Sequence, residues 1–168
     1  RVRELYNRRQ NYCYTSPIYH EKVRIIDQKL AQRFGGDPAV ILWHISNEMG
    51  GDCHCALCQA EFRRWLQARY GTLEALNKAW NARFWSHDYT NWEQIESPAP
   101  QGENAVQALA LDWKRFVSEQ TGDFIAEEIK AIRDAGSDIP TTINMMHDFY
   151  GLNYHQLAKL IDVVSWDT

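Results

Sequence analysis

The spacing of apolar positions divides the chain into alternating helices and short strands. From Ser16 it predicts a helix: Ser16 can cap, Pro17 suits the first turn, and Tyr19, Val23, Ile26 and Leu30 recur on one face. Gly35-Gly36 ends this helix and Asp37-Pro38 forms a connector. Ala39 to Ile45 (AVILWHI) is a short unbroken apolar run, the pattern of a strand covered on both faces in a parallel sheet. Ala60 to Tyr70 predicts a helix with Phe62, Trp65 and Leu66 inward, stopped by Gly71. Thr72 caps the next, with Leu73, Leu76 and Trp80 as its apolar stripe.

Arg83 to Gly102 has no period, and reads as a long aromatic loop of the kind that tends to carry function. Asn104 to Ala135 predicts a long helix broken near Gly122. Val106, Leu109, Trp113 and Phe116 line its first half, and Ile125, Ile129 and Ile132 its second. Strands follow at Pro140 to Met145 and Ile161 to Trp166, with a short helix at about Tyr154 to Leu160 between them.

This α/β alternation fits a doubly wound sheet or part of a (β/α)8 barrel. Polar groups stand just past each strand: Asn47-Glu48, Asn144 with His147, and Trp166-Asp167. In a barrel those ends open on one face, where chemistry occurs. A dinucleotide-binding sheet would need a glycine-rich first turn, and none follows a strand here. The expectation is therefore α/β, a partial (β/α)8 TIM barrel. Residues 1–168 are read as one segment of a catalytic domain, incomplete at both ends: the start, RVRELYNRRQ, lacks Met and a run-in, and VVSWDT stops at a strand tip.

Composition sharpens this picture in two places. Seven Trp and eight Tyr suit stacking on sugar faces, the alternative being a Trp-rich core. A net charge of -4 without a basic block argues against a nucleic-acid surface. No apolar run approaches the roughly 20 residues of a membrane span.

A glutamate at a barrel mouth beside apolar Trp and Met is biased by desolvation toward its protonated form, which suits a general acid. Glu48 could act so, with Asn47 hydrogen-bonding a substrate hydroxyl; alternatively Glu48 caps the next helix or pairs with Arg9. Five residues later, Cys53-His54-Cys55-Ala56-Leu57-Cys58 packs three thiols into a C-x-C-x2-C turn, with Cys13 forty residues upstream. Such a turn can place three thiolates around one tetrahedral ion, with a fourth brought by a neighbour. Four thiolates leave no open position, so the ion would be structural and would help fold the loop behind Glu48. His54 could replace one thiol, free buried cysteines are the plain alternative, and an iron–sulfur cluster is less favoured.

These residues resemble glycoside hydrolase family 42, the retaining β-galactosidases. The resemblance rests on "RRQNYCYTSPIY", "ILWHISNEMGGDCHCALC", "RYGTLEALNKAWNARFWSHDYTNWEQIESP" and "VVSWDT", and covers nearly the whole chain in order. It implies a (β/α)8 catalytic domain, usually in a homotrimer, that cleaves terminal β-galactosyl residues from a β-galactoside. The enzyme is expected in the cytoplasm, with no nucleic-acid or membrane partner. The family's acid/base falls on Glu48, its adjacent Asn on Asn47, a sugar-holding Arg on Arg9 beside Arg8, and a pocket-wall Trp on Trp85. Its zinc ligands fall on Cys13, Cys53, Cys55 and Cys58. The family's nucleophile is a second Glu at a later strand end, and neither Glu93, Glu96, Glu103 nor Glu119 fits it. Two other readings stand beside this one: a zinc-stabilised interaction module without catalysis, and a barrel glycosidase using the same Asn-Glu strand end on another sugar.

Overall fold

A computed structural model describes residues 11–98, 106–147 and 149–167. Its elements run α1 (Pro17–Phe34), β1 (Trp43–His44), α2 (Ala56–Tyr70), α3 (Leu73–Trp80), α4 (Gln107–Asp134), β2 (Thr141–Met145), α5 (Tyr154–Leu157) and β3 (Val163–Trp166). Short 3-10 turns at Ala82–Trp85 and Trp92–Gln94 lie between α3 and α4. The chain divides into two compact units, one made of the chain up to Thr15 with residues 52–117, the other of residues 16–51 with 118–168.

The second unit holds a parallel sheet in the order β1-β2-β3. Trp43 and His44 pair with Thr141 and Thr142, and Asn144 pairs with Ser165. Along β2, Ile143 and Met145 are buried, while Asn144 is only half-buried at the strand's end. Thr142 Oγ1 donates to Val163 O at 2.6 Å, tying the central strand to its neighbour. Asp162 accepts from the Thr141 N–H (2.8 Å), the Thr141 hydroxyl (2.9 Å) and Arg133 (2.8 Å), so the entry to β3 is anchored to both β2 and α4. These bonds hold its carboxyl below the usual carboxylate range, the Thr141 N–H contributing most.

Local chemistry sets the ends of α1. The Ser16 side chain accepts from the Tyr19 N–H and Pro17 opens the first turn, as the sequence predicts. Gly35 follows the helix because a Cβ there would meet Ala31 O at 2.4 Å and Ser137 Cβ at 2.8 Å. The inward face is the predicted one only in its first half. Tyr19 stacks on Phe124 with centroids 5.2 Å apart and Val23 is half-buried, but Ile26 and Leu30 are 49% and 40% exposed, and Ala31, off the predicted stripe, is buried. Apolar residues run round most of α1, so its period alone does not choose a side.

The first unit is built on an aromatic core. Phe62 of α2 meets Trp113 of α4 edge to face at 5.0 Å, and Phe116 completes the cluster. Buried Asp112 accepts from the Tyr70 hydroxyl (2.6 Å) and the Trp80 indole (2.8 Å), joining α2, α3 and α4, while Arg115 supplies the opposite charge. Trp80 and Trp113 are thus core residues, which accounts for part of the Trp content. Gly71 ends α2 at φ 73, a conformation that favours glycine, and Thr72 caps α3 by accepting from the Ala75 N–H.

Several predicted boundaries move. β1 is confined to Trp43–His44 rather than Ala39 to Ile45, because pairing with β2 begins only at Trp43. β2 and β3 start at Thr141 and Val163, and α5 ends at Leu157. α2 begins at Ala56, inside the cysteine motif. α4 runs unbroken past Gly122, where a Cβ would touch Leu157 and Leu160 at 3.4 and 3.5 Å. The predicted start of α4 at Asn104 lies outside the described residues.

Candidate active site and metal centre

β1 ends two residues before a turn that carries Asn47 and Glu48. Glu48 has φ 48, the left-handed region, which costs a non-glycine residue about 1 kcal/mol or more. Its backbone N–H donates to Asn144 Oδ1 at 2.8 Å. Gly51 takes φ 83, and Gly50 lies against Phe149, where a Cβ would come within 2.9 Å of the ring. Met49 and Gly50 are buried, Glu48 is half-buried and Asn47 is exposed, so the turn is packed from behind and open at Asn47.

The polar strand ends that the sequence left without roles form a connected set. Asn144 Nδ2 donates to Asp167 Oδ2 at 3.0 Å, and His44 Nε2 lies 3.1 Å from Asn144 Oδ1. The contacts fix which way the amide points: its oxygen meets the Glu48 N–H and its nitrogen meets a carboxylate. His147 and Tyr154 both pack edge-on against Trp166, and the Tyr154 hydroxyl accepts from the Met146 N–H at 3.1 Å. Burial pushes the Tyr154 phenol up, helped by the charge of Asp167.

Of the other predicted sugar contacts, Trp85 closes the 3-10 turn Ala82–Trp85, and Arg9, with Arg8, lies outside the described residues. Glu93, in the turn Trp92–Gln94, is exposed and pairs with Arg63 at 3.0 Å. Glu96 is exposed in the same loop and Glu119 lies on α4, so neither stands at a strand end; Glu103 lies outside the described residues.

In the first unit the four predicted cysteines converge. The sulfurs of Cys13, Cys53, Cys55 and Cys58 all lie within 4.8 Å of one another. Cys13 Sγ is 3.4 Å from Cys58 and 3.6 Å from Cys55, and Cys55 is 3.7 Å from Cys58. A tetrahedral ion with metal–sulfur bonds of about 2.3 Å sets its sulfurs about 3.8 Å apart, so the donor set fits one ion. Cys55 is the N-cap of α2 and Cys58 sits in its first turn, where the helix dipole favours thiolates. Thr15 was missed by the sequence reading: its hydroxyl lies 2.8 Å from Cys13 Sγ and 3.1 Å from Cys58 Sγ. The thiols of Cys53 and Cys58 donate toward Cys13 and hold it well below the usual thiol range. The same sharing pushes Cys53 up to about 12 and raises Cys58 as well. A metal bound here would take thiolates as its ligands, displacing the thiol protons.

His54 lies between two of these cysteines but is not a ligand. It is buried, its Nδ1 lies 2.8 Å from Ser97 Oγ, and its ring stacks on Trp113 at 5.1 Å. Gln59 holds the same serine, accepting from the Ser97 N–H at 2.8 Å and donating to its hydroxyl at 2.5 Å. Asp52 accepts from the Trp113 indole at 3.1 Å. The segment between Glu93 and Pro98 is thereby fastened to the residues flanking the thiols.

Comparison with known proteins places this geometry. The family model for glycoside hydrolase 42, described as beta-galactosidase, matches residues 1–168. The chain is 56% identical over 160 residues to beta-galactosidase BglY of Alicyclobacillus acidocaldarius, covering 95% of the chain and 23% of that protein. It is 49% identical to beta-galactosidase GanA of Bacillus subtilis, over 99% of the chain and 26% of the relative. The crystal structure of a beta-galactosidase from Rahnella sp. R3 superposes with a TM-score of 0.91 at 52% identity, covering 94% of the chain and 23% of that structure. The chain thus spans about a quarter of the length of these relatives. Four sulfurs set for one ion, an Asn-Glu strand end and three parallel strands with their helices are what this chain contributes to a (β/α)8 barrel, and it belongs to glycoside hydrolase family 42.

Proposed function

We propose that this chain carries the acid/base of a retaining β-galactosidase, with Glu48 as that residue. The observation that carries the reading is the strand-end turn Asn47-Glu48, its backbone fixed from the neighbouring strand, in a chain whose relatives are named beta-galactosidases. In the first step the Glu48 carboxyl protonates the departing glycosidic oxygen while a second carboxylate attacks the anomeric carbon. In the second step Glu48 takes a proton from water as water displaces that carboxylate. The second carboxylate is a Glu in the part of the barrel that this chain does not span, and retention requires the two groups about 5 Å apart. The Asn47 amide hydrogen-bonds a hydroxyl of the galactosyl ring, Arg9 supplies a cation to it and Trp85 an aromatic face.

The metal at Cys13, Cys53, Cys55 and Cys58 is zinc in this reading, since an all-thiolate tetrahedral site suits that ion. Bound there it supplies folding stability and no open coordination position. The family resemblance supports a homotrimer in the cytoplasm; no helix among the described residues is long and apolar enough to cross a membrane.

The test is hydrolysis of nitrophenyl glycosides by the full-length protein, with the first-formed sugar followed by proton NMR. A β-galactoside should be cleaved well ahead of the β-glucoside and α-galactoside, and β-galactose should appear before its α anomer. Initial release of the α anomer would rule out retention. No cleavage of any glycoside by folded, metal-loaded protein would favour a non-catalytic module.

A further inference from the structure

We infer that Asn144, held by Asp167, is a positioning residue that aims the Glu48 acid; the inference rests on the role proposed for Glu48 above. Glu48 is one of three non-glycine residues at positive φ among the described residues, and it stands in the turn after β1. A residue there falls back to ordinary backbone angles unless its surroundings hold it. One direct hold is the bond from its N–H to Asn144 Oδ1, 2.8 Å away and 96 residues on in sequence. That oxygen is presented only if the Asn144 amide keeps one of its two orientations. Asp167 fixes the choice, because its carboxylate accepts from Nδ2 at 3.0 Å and would repel the amide oxygen. His44, at 3.1 Å from Oδ1, supports the same orientation when Nε2 carries its proton. Asn144 and Asp167 are carried by adjacent paired strands, β2 and the end of β3, so the link runs from the third strand to the turn after the first.

The consequence is specific to proton delivery. Without the bond, the Glu48 turn relaxes and its carboxyl leaves the line of the leaving oxygen, while contacts to the sugar ring persist. A misplacement of this kind costs up to about a hundredfold. The experiment uses the full-length enzyme with alkyl and dinitrophenyl β-galactosides, which need proton donation strongly and weakly. Asn144→Ala should lower kcat on the alkyl substrate at least about tenfold with KM nearly constant, and should change kcat/KM on the dinitrophenyl substrate, which reports bond cleavage, only a little. Asp167→Ala should show the same pattern more weakly. Asp167→Asn, which keeps an acceptor oxygen for Nδ2, should recover most of the loss. Thermal unfolding checks that each variant is folded, and the Asp167 pair carries the test if Asn144→Ala is not.

Equal losses on both substrates, or a rise in KM alone, would overturn the inference and make Asn144 a sugar contact or a packing residue. Glu48→Gln separates the two levels. If that variant shows the leaving-group dependence and Asn144→Ala does not, only the positioning role falls. If neither shows it, the acid role of Glu48 falls first.

Discussion

Asp27 of α1 and Glu128 of α4 each bury a carboxyl oxygen that no hydrogen-bond donor among the described residues reaches, and the charge of Asp27 bears on Glu128. Desolvation, and then this neighbouring charge, pushes Glu128 up to about 9; desolvation alone pushes Asp27 up to about 6. In the unfolded chain both ionise in the ordinary carboxyl range. The folded state therefore keeps protons that the unfolded state has released, and stability falls as pH rises. The loss starts above the ordinary carboxyl range and is complete once pH passes Glu128's folded value. Glu128→Gln should remove most of this slope, making the variant more stable than the parent near pH 8 by roughly 2 kcal/mol, with little difference near pH 4. Unfolding curves at the two pH values check it; parallel pH profiles for parent and variant would contradict it.

The four-sulfur cluster predicts one metal ion per chain. Cys58→Ser removes a buried ligand at the start of α2 and should abolish stoichiometric metal at ordinary concentrations, with a stability loss of about 3 kcal/mol or more. Elemental analysis of dialysed full-length protein, together with its unfolding curve, reads both effects. Full metal content in the variant would show that the ion sits elsewhere.

Ser97 predicts a more local effect. Ser97→Ala leaves His54 Nδ1 and Gln59 Nε2 without the hydroxyl they share in a buried setting, which costs about 1–3 kcal/mol. Amide exchange between Glu93 and Pro98 should quicken while the bound metal stays. Loss of metal together with the loop would mean that His54 does more for the thiols than fasten the segment beside them.

The parts of this fold that were legible are those fixed by near neighbours in the chain. Ser16-Pro17, Gly71 and Thr72 set helix ends within one turn, and C-x-C-x2-C brings three thiols together by spacing alone. What was illegible depends on distant partners. The apolar residues of α1 run round most of the helix, so the period does not tell that Ile26 and Leu30 stay exposed while Tyr19, on the same stripe, packs on Phe124. The cysteine turn looks like a loop in sequence, yet Cys55 starts a helix there because its extended backbone suits an N-cap. At the strand ends, Asn144 and Asp167 could be recognised as polar but not assigned, because Asn144 bonds a backbone N–H in the turn that follows another strand. His54 reads as a spare ligand until Ser97, 43 residues later, claims it.

Glu48→Gln in the full-length enzyme tests the central claim most directly. Amide for acid keeps the size and removes the proton that the leaving group needs. The predicted result is a loss of about a hundredfold or more on alkyl β-galactosides, a much smaller loss in the bond-breaking step with a dinitrophenyl leaving group, and recovery of turnover by added azide as β-galactosyl azide. An equal loss on every leaving group, with no azide product, would contradict the assignment of Glu48 as the acid/base.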